Sequence, residues 1–165
     1  MNIPTLKIGN LEAKFPLIQG GMGIGVSLSR LAAAVANQGG IGIISGAQTG
    51  YKEDNFKTNN DQANVTGIQK EIRKARELSP NGIIGINFLQ ASHNYIELVN
   101  TAVKEKVDLI ITDIQMPFMN GIDFTRQIRK KDLFTKVIFL TGYNDDINRK
   151  QVYCSHKCFC EHRRN

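Results

Sequence analysis

The stretch VDLIITDIQMPFMNG, residues 107–121, decides how the rest of the chain is read. Its first residues form an apolar run closed by Thr112 and Asp113, the composition of a buried strand in a parallel sheet. Met116 and Pro117 then turn the chain, because proline fixes its own φ and drives the residue before it out of helical space. From Gly121 to about Lys131 a helical pattern follows, with Ile122, Phe124 and Ile128 on its inward face. A strand that ends in a carboxylate and re-enters a helix through a turn holds that carboxylate at the mouth of a sheet. Ligands of α/β folds bind there.

Working outward, the same alternation recurs. Leu6, Ile8, Leu11, Ala13 and Phe15 are spaced as a hairpin around Gly9-Asn10, a pair that tolerates positive φ. PLIQGG (16–21) reads as a short buried strand running into a glycine loop. SLSRLAAAVANQ (27–38) is a helix with Ser27 as N-cap and Gly39 as its stop. IGIIS (41–45) is a strand. A polar stretch leads to a helix from Val65, whose outer face carries Lys70, Arg73, Lys74 and Arg76. GIIGINF (82–88) is a strand, SHNYIELVNTAVKEK a helix capped by Ser92, and KVIFLTG (136–142) the last strand. Crossovers long enough for a helix imply a parallel α/β sheet with right-handed connections. Pattern alone leaves open whether that sheet curls toward a barrel.

Composition sets outer limits. The 165 residues, 41% hydrophobic and 22% charged, fit a soluble globular domain with a real core. No apolar run reaches the roughly 20 residues that a membrane span requires. The N-terminus does not read as a secretory signal, so a cytoplasmic location is expected. Residues 1–128 carry 12 Lys and Arg against 11 Asp and Glu, and residues 129–165 carry 9 against 4. The basic end lacks the aromatic interleaving of a nucleic-acid surface and reads as a solvated tail.

Three features suit ligand binding at the strand ends. QGGMGIG (19–25) has four glycines that let backbone N–H groups approach a flat or anionic ligand. SGAQTG (45–50) is a second glycine loop. Asn87 ends its strand with an amide that both donates and accepts. Tight packing of a βα turn needs similar glycines, so the residues alone leave ligand binding and packing open.

The run FPLIQGGMGIGVSLSRLAAAVANQGGIGIIS followed by GIIGINF resembles the start of the nitronate monooxygenase family, which includes flavin-dependent enoyl reductases. The likeness covers about residues 3–111. It implies half of an FMN-binding (β/α)₈ TIM-type barrel, an oxidoreductase acting on a small molecule such as an alkyl nitronate. Gly21, Met22 and Gly23 would lie against the flavin and Asn87 would hydrogen-bond it. The family's catalytic histidine and phosphate-binding loops come from later barrel strands, so the resemblance assigns no catalytic residue here. The expectation is a half barrel inactive alone, unless a homodimer closes two halves. His93 matches no family role.

TDIQMPFMNGIDFTRQIRKKDLFTKVIFLTGYND resembles the middle of a response-regulator receiver domain over about residues 107–145. The resemblance implies a flavodoxin-like unit with Asp113 as phosphoacceptor and Thr141 sensing the phosphate. Receivers also place an acidic pair at the end of their first strand and a lysine at the end of their fifth, and the matched segment contains neither. The first strand of this chain ends at Gln19-Gly20-Gly21, without a carboxylate. VDLII belongs to both patterns, which makes a non-functional α/β chimera the third reading. Residues 146–165 form a basic tail holding Cys154, His156, Cys158, Cys160 and His162, a spacing too tight for ordinary zinc-finger pairs; no metal site is assigned.

Overall fold

The computed structural model describes residues 3–88, 94–114 and 121–140. Strands β1 (Leu6–Ile8) and β2 (Leu11–Ala13) form the expected hairpin, with Gly9 at φ +60° in the turn. Helix α1 (Ser29–Asn37) leads to β3 (Ile41–Ser45), α2 (Asn60–Leu78) to β4 (Ile83–Phe88), and α3 (Tyr95–Lys104) to β5 (Leu109–Asp113). Helix α4 (Gly121–Arg129) leads to β6 (Lys136–Leu140).

Strands β3 to β6 form one parallel sheet in the order β3-β4-β5-β6, each beside the next in the chain. Residues 17–19 extend its edge through a single parallel bridge, Ile18 to Ile41. Strand periodicity separates two faces. Ile44, Ile84, Ile86, Phe88, Ile110 and Val137 pack against the four helices in the main core. Ile41, Ile43, Leu109 and Ile111 lie on the opposite face, where the hairpin covers them through Ala13, Leu6 and Ile8. Each fully buried isoleucine contributes about 2 kcal/mol of apolar burial. A sheet wound in chain order with every helix on one face has the connectivity of a (β/α) barrel segment. The α/β class and parallel repeats expected from sequence are what the chain adopts.

Three local readings change. Ser27 does not cap α1: Leu28 holds the N-cap position without a side-chain bond, and Gly39 (φ +87°) ends the helix as expected. PLIQGG contributes only a bridge, with Leu17 and Ile18 exposed rather than buried. Helix α2 starts five residues before Val65, because the Asn59 side chain accepts the Gln62 N–H at 3.2 Å and satisfies a first-turn donor. Ser92 and His93 lie outside the described residues.

Candidate functional site

Gln19 to Ser27 form a loop above the carboxyl end of β3, and Ser27 is what folds it. Its hydroxyl accepts from the Met22 N–H (2.9 Å) and the Gln19 Nε2 (3.0 Å), while its carbonyl accepts from the Ser45 N–H at 2.7 Å. The Gln19 Oε1 in turn accepts the Ile43 N–H at 3.1 Å, locking the loop to the sheet. This geometry presents Met22, Ile24 and Val26 to solvent, each at least half exposed. Gly23 and Gly25 take positive φ, and Gly25 has no room for a side chain beneath the Tyr51 hydroxyl.

Gly21 and Asn87 meet. A Cβ at position 21 would overlap the Asn87 amide, so only glycine lets the loop pass so close. Asn87 lies on the sheet face away from the helices, 6% exposed, and its Oδ1 is buried without a hydrogen-bond partner. A buried, unsatisfied acceptor costs roughly 1–3 kcal/mol and is the usual mark of a missing donor. Of the residues expected at a flavin, Gly21 and Asn87 are thus in contact, and Met22 and Gly23 continue the same loop. Those four residues fit a planar heterocycle with an N–H donor. The second glycine loop serves packing: Gly50 donates to the Asn64 side chain at 3.0 Å and lies against the first turns of α2.

Asp113 closes β5, an interior strand. Alternation from Ile111 places it on the same face as Asn87. Gly121 packs directly on the Asp113 carbonyl and its N–H donates to the Ile114 carbonyl at 2.9 Å, which fixes the start of α4 beside the aspartate. Asp113 pairs in register with Leu140, so Thr141, the expected phosphate sensor, is the next residue but lies outside the described ones. Beneath Asp113, the Thr112 hydroxyl hydrogen-bonds the Tyr95 hydroxyl at 2.8 Å. Neither Tyr95 nor Tyr51 carries a sequence motif that would have marked it.

A divalent cation is implied by the receiver resemblance, and its donor set does not fit here. The strand beside β5 is β4, and it ends in Asn87 and Phe88, an amide and a ring where cation binding needs carboxylates. Among the described residues no three His, Cys, Asp or Glu side chains gather into a possible metal site.

A family model described as the response regulator receiver domain matches residues 67–156, more than half of the chain. The autoinducer 1 sensor kinase/phosphatase LuxN of Vibrio campbellii is 33% identical over 91 residues, covering 53% of this chain and 10% of that protein. The chain therefore spans about a tenth of that relative's length. Among solved structures, an IMP dehydrogenase/GMP reductase-like protein from Corynebacterium glutamicum superposes with a TM-score of 0.63 at 15% identity, over 92% of this chain and 46% of that one. FabK from Thermotoga maritima superposes with a TM-score of 0.58 at 24% identity, over 82% and 36%. These two share the TIM-barrel-like fold of the chain. The match from residue 67 takes in the whole of 107–140, so the sequence likeness and the fold likeness overlap on the same strands.

Proposed function

Because the chain belongs to the response regulator receiver domain family, we propose that it is a signalling module that accepts a phosphoryl group on Asp113. The observation that carries this reading is the position of Asp113: the carboxyl end of an interior strand, braced by Gly121 on one side and Leu140 on the other. An oxygen of its carboxylate attacks the phosphorus of a phosphorylated donor, and the bond from phosphorus to the donor breaks. The donor leaves with the electron pair, and an acyl phosphate remains on Asp113. A kinase is the class of donor suggested by the sensor kinase/phosphatase relative. With Asn87 and Phe88 ending the neighbouring strand, Mg²⁺ is expected to leave the rate unchanged. Acetyl phosphate treatment followed by intact-mass measurement tests this: one added phosphoryl group is expected, absent in Asp113→Asn. Labelling that survives the substitution would assign the acceptor elsewhere.

A second reading rests on the orphaned Asn87 Oδ1. Gly21, Met22, Gly23 and Asn87 would hold the ring system of FMN, which supplies hydride and single-electron chemistry when bound. Asn87 would orient the ring by accepting its N–H, and the exposed Met22 would cover one side. Protein incubated with FMN and desalted is expected to retain a flavin absorbance spectrum that Asn87→Leu loses. A colourless wild-type protein would rule the reading out.

A further inference from the structure

Helices α1 and α2 pack side by side, as do α2 and α3, whereas α3 and α4 meet through Tyr95 and Phe124 and open beside them into a groove. Its floor is apolar: Phe124 and Ile128 from α4 lie beneath Ile96 of α3, which is 41% exposed. The groove shares Ile96, Asn100 and Lys131 with a larger open cavity of 1170 Å³, which runs down α3 to Phe134 in the α4–β6 loop. Phe134 is 85% exposed and its neighbour Leu133 50%. Phe134 and Leu133 at one end and Ile96 at the other give this surface exposed apolar groups of the kind that interaction sites use.

Charge gives the partner its sign. Lys104, Lys106, Lys130 and Lys131 line this continuous surface. The five ion pairs among the described residues all use other cations. The acids nearby are committed. Asp108 pairs with Arg76 and Glu105 with Arg73. The Asp132 carboxylate accepts from the backbone N–H groups of Phe134 and Thr135. Glu97 alone remains, at the first turn of α3. Four lysines outnumber Glu97 and Asp132, which keeps its charge on the backbone N–H groups, so the apolar floor lies in a net positive patch that steers and selects by electrostatic complementarity.

We propose that the α3–α4 groove docks an acidic peptide segment of a partner protein, one that sets an apolar side chain on Ile96 and Phe134 while its carboxylates meet the lysines. This surface follows α3 and α4 down to the hairpin at Asn10 and Leu11, and its lining includes neither Asn87 nor Asp113, so it stands or falls independently of either function above.

Fluorescence anisotropy with the full chain tests it, using a labelled amphipathic Glu/Leu peptide, its Lys/Leu counterpart, and phosphatidylserine vesicles as competitor. The Glu/Leu peptide is expected to bind and the Lys/Leu peptide not, with affinity falling as salt rises. Lys104→Glu with Lys131→Glu should weaken binding about tenfold, the equivalent of about 1.4 kcal/mol. Phe134→Ser should weaken it as well, and thermal unfolding of these surface variants should match the parent. Binding insensitive to all three substitutions, equal binding of the Lys/Leu peptide, or no binding at all would overturn the proposal. Displacement of the peptide by the vesicles would reassign the patch to a lipid surface.

Discussion

Tyr95 stands between the core and the mouth of the sheet. It is 4% exposed, edge-on to Phe88 at 5.5 Å and to Phe124 at 4.8 Å, with its hydroxyl on Thr112. Burial pushes its phenol from 10.0 up to about 12, against a smaller lowering by the Thr112 hydrogen bond. Folded Tyr95 therefore holds its proton more tightly than unfolded Tyr95. The stability this contributes is complete below pH 10 and is lost as pH rises from there through about 12. Unfolding free energies from urea titrations across that window should fall for the parent by at most about 3 kcal/mol in excess of Tyr95→Phe. Equal losses in both proteins would mean that the phenol is not the titrating group. At this scale the sequence marked Asp113, Gly21 and Asn87, because motif and glycine constraint write themselves into residue type. It did not mark Ser27 as the post of the glycine loop. A serine two residues before a helix reads as a cap, and only the fold shows its hydroxyl turned back onto Met22 and Gln19.

Among the elements, those with apolar runs were legible: β3, β4 and β5 begin and end within two residues of their expected limits, since burial on both faces leaves a continuous signal. Helix α2 was legible from Val65 onward, without its first five residues. Its first turn, Asn60 to Ala63, is polar, and the periodicity begins at Val65. The Asn59 cap that starts it is a single amide among many in a polar loop. PLIQGG misled for the opposite reason. Its apolar residues suggested a buried strand, yet at the edge of a sheet only one side finds a partner, leaving Leu17 and Ile18 in water. The groove between α3 and α4 had no sequence signature, because each helix carries an ordinary inward face.

Over the whole molecule, the strand that carries Asp113 is bonded along its length to β4 on one side and β6 on the other, so the two family resemblances meet inside one sheet. Phe124 and Ile128 of α4 share a single core with α1, α2 and α3. Hydrogen exchange should accordingly report one cooperative opening, with amides of β3, β4, β5 and β6 protected to a common free energy. Exchange of 107–140 at random-coil rates, with 3–88 still protected, would show that the sheet does not extend across the junction. A flavodoxin-like sheet, ordered 2-1-3-4-5, must fit its first strand between two others. Here each strand joins the outer edge of what already stands, one crossover away from its partner. The sheet can thus grow in the order of synthesis, each βα unit finding its neighbour in place as it leaves the ribosome.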